Sequence, residues 1–328
     1  MKTITIVIPT YNKEENIPLV YQRVTELFLE QLAAYQYEIL FIDNYSTDRS
    51  RQEISSLAEH DPHVKAIFNA KNFGFTRSTF YGLTQAEGDC AVLLFADMQD
   101  PPEVIPDFVR GWEQGFKIVT GIKMQSKESP FMYLIRKFYY RIIKRISEID
   151  HIEQFDGFGL YDASFLQVLR ELDDSLPYLR GIIAELGYQR KDIPYIQDKR
   201  LHGKTSFNFL RLYDQAMLGI TSYSKIVMRL ATLIGFFTAV ISLIIAVFTL
   251  FYKLTHWDSF PVGNAAISIG VFFFGAVQLF FVGLLGEYVL SINARVLHRP
   301  LVIEERRINF SYCVEDGDLK GEESSHSL

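Results

Sequence analysis

Two long stretches without a charged side chain constrain this chain more than any other feature. Leu230 to Tyr252 gives 23 such residues and Ser259 to Gly286 gives 28. Crossing a bilayer takes about 20 predominantly apolar residues in a helix. Core helices of a soluble domain have no need of runs this long, so the pair reads as a transmembrane hairpin. Orientation follows from the flanking basic residues. Lys225 and Arg229 precede the first run, and Arg295, Arg299, Arg306 and Arg307 follow the second, whereas the loop around Trp257 offers only Lys253 and His256. Both flanks, and with them both termini, are therefore expected on the cytoplasmic side of a plasma membrane, with the loop outside.

The chain has 328 residues and a formal net charge of -6, so nothing in its overall charge suggests a nucleic-acid partner. Lys2 leads straight into a strand-like run with no small-residue cleavage site, unlike a signal peptide. Cys90 and Cys313 lie too far apart in sequence to suggest a disulfide framework or a zinc pattern. The acidic, Gly/Ser-containing end, residues 313–328, reads as a disordered tail.

Before the apolar runs, strand and helix signals alternate. Ile4–Ile8, Ile39–Ile42, Val64–Phe68, Ala91–Phe95 and Lys117–Thr120 are short apolar runs of the kind found in strands covered on both faces. Ile17, Val20, Val24 and Leu27 fall on one helical face between the first two. Such alternation predicts an α/β, mainly parallel sheet. No G-x-G-x-x-G follows the first strand, which disfavours a dinucleotide-binding domain. Residues 130–147 set Phe131, Ile135, Phe138, Tyr139, Ile142 and Ile146 on one face, with Arg136, Lys137, Arg141 and Lys144 largely opposite. Beside two membrane runs, that pattern predicts an amphipathic helix lying in the membrane interface.

The segment Ala96-Asp97-Met98-Gln99-Asp100-Pro101-Pro102-Glu103 ends a buried strand in carboxylates, an amide and two prolines. It is a poor continuation of a sheet. It suits a hard cation at the sheet's C-terminal edge, because Mg²⁺ bridges protein oxygens to substrate phosphates and open α/β sheets bind ligands there. The plain alternative is a solvated turn punctuated by proline.

Four segments in order resemble inverting GT-A glycosyltransferases of family 2. They are Val7-Ile8-Pro9-Thr10-Tyr11-Asn12-Lys13-Glu14, Phe41-Ile42-Asp43-Asn44-Tyr45-Ser46, Asn72-Phe73-Gly74 and Ala96–Glu103. With the C-terminal spans, the chain is most similar to the polyprenyl-phosphate glycosyltransferases, the group resembling dolichol-phosphate mannose synthase and bactoprenol glucosyltransferase. The resemblance implies a GT-A (Rossmann-like) catalytic domain over residues 1–206, a juxtamembrane helix over 207–229, the spans over 230–290 and a cytoplasmic segment over 291–312. It implies that Pro9, Tyr11, Glu14, Asp43, Asn44, Asn72 and Asp97 line a nucleotide sugar, with Glu14 and Asp43 accepting hydrogen bonds from base or ribose. An Asx-turn before Ser46 is a purely local use for Asp43. Mg²⁺ or Mn²⁺ would sit on Asp97 and Gln99.

The chain departs from the family pattern at several points. Phe95 stands where the family's first metal aspartate is found, Lys13 replaces a frequent Glu, and Asn44 replaces a frequent second Asp. A metal is therefore expected to bind weakly without the donor's pyrophosphate. Asp156-Gly157-Phe158-Gly159-Leu160 occupies the place of the family's G-D-F-R-L. Matching Phe158 and Leu160 puts Gly157 opposite the family aspartate, and Asp156, the nearest carboxylate, is the candidate catalytic or acceptor-positioning residue. Arg200-Leu201-His202-Gly203-Lys204-Thr205-Ser206 resembles the family's R-x-x-G-x-S-K loop, and Arg200, Lys204 and Thr205 suit an acceptor phosphate.

The implied activity is transfer of one hexose to a polyprenyl phosphate, undecaprenyl phosphate in bacteria, on the cytoplasmic leaflet. UDP-glucose is the favoured donor, with GDP-mannose and UDP-amino sugars open. The family also implies a homo-oligomer, a tetramer packed through the spans. A processive polysaccharide synthase would carry Q-x-x-R-W, which is absent, since the only tryptophans are Trp112 and Trp257. A non-catalytic scaffold or lipid transporter is the third reading, and two spans make a poor transport path.

Overall fold

The computed structural model describes residues 1–124, 152, 154–172, 174, 177–197, 233–238, 240, 241, 244, 248, 255, 264–297 and 299–310. The expected interfacial helix, the loop holding Arg200, Lys204 and Thr205, and the acidic tail lie outside them.

An eight-stranded sheet organises the molecule. Its strands are β1 (Thr3–Thr10), β2 (Gln36–Asp43), β3 (Val64–Asn69), β4 (Cys90–Leu93), β5 (Ile118–Lys123), β6 (Gly159–Asp162), β7 (Arg190–Tyr195) and β8 (Glu304–Ile308), in spatial order β7-β5-β6-β4-β1-β2-β3-β8. β1 pairs in parallel with β2 and β4, β2 with β3, and β5 with β7. β6 is antiparallel to both β4 and β5, and β8 is antiparallel to β3. Six strands thus point one way and two are reversed. All six end at one edge, and the reversed strands begin there.

The continuous β-branched runs are buried because helices cover both faces. Ile4, Ile6 and Ile8 join a core with α1 (Asn16–Glu30), α2 (Ser50–His60) and α4 (Ile105–Glu113). The expected α1 face, Ile17, Val20, Val24 and Leu27, is buried in it. Val7, Leu40 and Ile42 face the other core, filled by α3 (Phe75–Thr84), α5 (Ala163–Glu171) and α6 (Leu179–Glu185). β4 stops at Leu93, two residues short of the apolar run, although the Leu94 amide still donates to the Val7 carbonyl at 3.0 Å. β5 runs past Thr120 to Lys123, which carries a lysine to the functional edge.

Past the second apolar run the structure adds detail to the sequence. A helix, α7, spans Asn264–Val296, well beyond Gly286, and the segment after it supplies β8. Among the described residues no helix is long and apolar enough to cross a membrane, so the hairpin is not shown. The first apolar run lies largely outside the described residues, as do the side chains of residues 264–266, 268, 269, 272, 273, 276, 294 and 295 in α7. Many large apolar side chains of α7, among them Ile267, Val271, Leu279, Phe280, Leu285 and Leu290, are exposed.

Candidate active site

The six parallel strands deliver their last residues, and the loops that follow, to one edge. Pro9 and Thr10 end β1 opposite Ile42 and Asp43 of β2. Asp43 is fully buried there, and its Oδ2 accepts the Ser46 amide at 3.1 Å, a local side-chain turn one residue wider than an Asx-turn. Arg51 Nε stands 3.4 Å from the same oxygen. The other oxygen, Oδ1, is buried with no partner among the described residues. Burial pushes the carboxyl above the usual range, opposed by Ser46 and Arg51. A buried carboxylate oxygen costs free energy unless something donates to it. Asp43 therefore serves the turn with one oxygen and offers the other as an acceptor.

The remaining loop residues mostly hold each other. Asn44 Nδ2 donates to Asn72 Oδ1 at 3.0 Å, while Asn44 Oδ1 accepts from Asn69 Nδ2 at 3.2 Å and the Phe73 amide at 2.9 Å. Asn72 Oδ1 also accepts the Gly74 amide at 2.9 Å. These amides fix the shape of the edge, and Asn69 Oδ1 is buried there with no partner among the described residues. Glu14 Oε2 accepts the Arg49 amide at 2.8 Å, binding the first loop to the start of α2. Tyr11 is exposed at the rim.

After β4, Phe95 turns inward, packs on Phe75 at 5.5 Å between ring centroids and contacts both cores. An aspartate in that apolar setting would be costly to ionise, so the missing family carboxylate has become a packing residue. Asp97 is half-buried, and its Oδ1 accepts the Gln99 amide at 3.3 Å. Met98 between them takes a positive φ of 58° with its side chain buried, so Asp97 and Gln99 sit on a tight turn rather than a continuing strand.

Antiparallel β6 brings Asp156 to this edge from the opposite direction. Gly157 has φ 118°, a conformation L side chains rarely adopt, and a Cβ at Gly159 would lie 2.5 Å from the Val119 carbonyl oxygen. The two glycines let the turn double back tightly onto β5. There Lys123 forms an ion pair with Asp156 and stands 4.0 Å from Asp100 Oδ1. Tyr195, the last residue of β7, donates its hydroxyl to Asp100 Oδ1 at 2.5 Å. Asp100 is almost fully buried. Burial first, then the neighbouring Asp156 carboxylate, pushes it well above the usual range, opposed by Lys123 and Tyr195. Lys123, Asp100, Tyr195 and Arg51 were not singled out from sequence. Asp100 lay in the recognised motif, whereas strand order recruits Lys123 and Tyr195, and the first turn of α2 brings Arg51.

Among the described residues, no group of three or more His, Cys, Asp or Glu is placed to hold a metal ion. The donor set fits a hard cation only in part, since Asp97 can give a carboxylate oxygen and Gln99 an amide oxygen. The other positions would fall to water and phosphate, a common arrangement for Mg²⁺.

Residues 5–172 match the glycosyl transferase family 2 profile. The chain belongs to glycosyltransferase family 2. Its sequence is 33% identical over 302 residues to the bactoprenol glucosyl transferase of Shigella phage SfV, covering 92% of this chain and 97% of that one. It is 30% identical over 304 residues to a prophage bactoprenol glucosyl transferase homolog of Escherichia coli (strain K12), covering 92% and 98%. Among solved structures, a mannosyltransferase from Pyrobaculum calidifontis in complex with GDP-Man and Mn²⁺ aligns with a TM-score of 0.46 at 17% identity, covering 67% of this chain and 63% of that one. The chain is thus a transferase, and its mixed, mostly parallel α/β sheet is the GT-A arrangement expected from the motifs.

Proposed function

We propose that this glycosyltransferase moves a single glucose from a nucleotide sugar, UDP-glucose in the first instance, to undecaprenyl phosphate at the cytoplasmic face of a bacterial membrane. The observation that carries the proposal is the similarity to bactoprenol glucosyl transferases over more than nine-tenths of both chains, which extends beyond the catalytic sheet. The β3–β8 pairing supports the topology. Residues on both sides of the apolar region belong to one sheet, so any membrane crossings between them are even in number. The exposed apolar side chains of α7 need cover, and a bilayer provides it. A homo-oligomer packed through the spans belongs to the same proposal.

The residues suggest a division of labour. Asp43 offers its free oxygen to the donor's base or ribose, and Asp97 lies where the pyrophosphate would rest. A divalent cation, Mg²⁺ or Mn²⁺, held by Asp97 with Gln99 would supply charge stabilisation to the leaving nucleoside diphosphate. The acceptor phosphate oxygen attacks C1 from the face opposite the nucleotide, the C1–O bond to the pyrophosphate breaks, and configuration inverts. A phosphate monoester has its second pKa near ~6, so the nucleophile is largely dianionic at neutral pH and needs no strong base. Asp156, held by Lys123, suits orientation of the acceptor more than proton removal. Arg200, Lys204 and Thr205 remain the proposed acceptor-phosphate ligands.

The test is a donor screen on the purified full chain with undecaprenyl phosphate and Mg²⁺ or Mn²⁺, comparing UDP-glucose, GDP-mannose and UDP-amino sugars. A monoglucosylated lipid from UDP-glucose is expected. Polymer, a different sugar, or no lipid product would each overturn the proposal.

A further inference from the structure

β8 does more than cover a sheet edge. Phe68 pairs with Arg306 and Asn69 with Glu304, so one step along β3 matches two along β8. Glu305 is the extra residue of that bulge. Bulges re-aim side chains, and here alternation breaks as expected. Glu304 and Arg307 both turn toward α3, where they meet the Tyr81 hydroxyl at 2.7 and 3.1 Å. Glu305 and Arg306 both turn toward α2, Arg306 reaching Ser55 Oγ at 3.0 Å. Glu305 Oε2 pairs with Arg51 Nη2 at 2.6 Å. Arg51 faces Asp43 with its Nε and lies over the Phe68 and Tyr45 rings, 5.1 and 5.9 Å from their centroids. A chain of two charge contacts therefore runs from the C-terminal strand to the buried carboxylate whose other oxygen has no partner among the described residues.

We infer that Glu305 is a positioning residue for the nucleotide pocket, holding Arg51 against Asp43 so that the free Asp43 oxygen is presented to the nucleotide. This rests on reading the Asp43 pocket as the nucleotide site. The guanidinium is a planar fork. With one nitrogen held by Glu305 and another beside Asp43, its rotation is restricted, and a neutral partner would loosen it. Donor affinity thereby depends on one side chain of the strand that follows α7, Glu305 on its α2 side, and not on the strand's contacts with α3.

The experiment measures binding of UDP and of GDP to the full chain with Mg²⁺ by calorimetry, together with melting temperature, in Glu305→Gln, Arg307→Ala and Asp43→Asn. Glu305→Gln is expected to weaken binding of the preferred nucleotide about threefold to fivefold at unchanged melting temperature, the scale of one partly exposed charge pair. Arg307→Ala, which loosens β8 on the α3 side, should lower the melting temperature and leave the bound-state affinity unchanged. In transfer assays, Glu305→Gln should raise the donor KM and spare kcat and the acceptor KM. Unchanged nucleotide affinity in Glu305→Gln, or equal losses of affinity in Glu305→Gln and Arg307→Ala, would overturn the inference. Asp43→Asn separates the two readings. If it binds nucleotide like the wild type, the pocket assignment fails; if it binds poorly while Glu305→Gln binds normally, only the positioning role fails.

Discussion

Asp162 ends β6 and begins α5, and replacing it with alanine should destabilise the protein by about 2–4 kcal/mol. Its Oδ1 accepts the Ser164 amide at 3.0 Å, capping α5, and lies 2.9 Å from Lys117 Nζ. Its Oδ2 accepts the Trp112 indole N–H at 2.7 Å. Loss of an N-cap costs about 1 kcal/mol. The Trp112 side chain is 7% exposed, and a buried donor left without an acceptor costs about 1–3 kcal/mol. Lys117 is half-exposed, so its charge pair adds at most about 1 kcal/mol. Acid titration gives an independent check. Burial alone would raise the Asp162 carboxyl, but the bonds from Ser164, Trp112 and Lys117 outweigh it and bring it from 3.8 to about 2. A folded-state pKa below the unfolded one adds stability that is complete above about pH 4 and lost as pH falls through about 2. The shift corresponds to roughly 2 kcal/mol. The assay is urea unfolding of the full chain in detergent, followed by tryptophan fluorescence at neutral pH and at steps from pH 5 downward. Asp162→Asn should lose the part of the acid sensitivity that Asp162 contributes. An alanine variant within about 0.5 kcal/mol of wild type, or an asparagine variant with the wild-type acid slope, would refute the reasoning.

Three further outcomes are expected. Asp97→Ala should lower sugar transfer by about 100-fold or more with the melting temperature unchanged, measured on lipid product; wild-type transfer would remove Asp97 from the site. Asp100→Asn keeps an acceptor for Tyr195 and removes a buried charge beside Asp156. Because the native carboxyl titrates above the unfolded one, wild-type stability should fall as pH rises above the ordinary carboxylate range. The asparagine variant should therefore melt higher than wild type at pH 8 and no higher at pH 4, as thermal denaturation without metal or nucleotide would show. Gly157→Ala places a Cβ 3.1 Å from Leu93 Cδ2 at φ 118°, which should cost about 1–3 kcal/mol and reduce transfer by displacing Asp156. A variant with wild-type stability and rate would show that the turn tolerates a side chain.

Much of the catalytic sheet was legible in the chain. Runs such as Ile4–Ile8 and Ile39–Ile42 carry enough apolar character to be strands wherever they are placed, and the α1 face follows from helical period alone. β6 and β8 were not legible. Gly159–Asp162 is a four-residue strand held by its neighbours in the sheet, and Glu304–Ile308 is so highly charged that only the edge of β3 makes it a strand.

The same division holds at the site. Sequence alone marked Asp43, Asp97 and Asp156 as candidates, because short segments resembling family motifs carry or adjoin them, and it showed the two charge-free runs. Only the tertiary structure decided that Asp43 divides its oxygens between a turn and an open acceptor position, that Phe95 packs against both cores, that Lys123 meets Asp156 and Tyr195 meets Asp100, and that Glu305 holds the Arg51 beside Asp43. Those pairings join residues up to 254 positions apart. No local pattern encodes them, since strand order, reversal and a one-residue bulge determine which side chains share an edge.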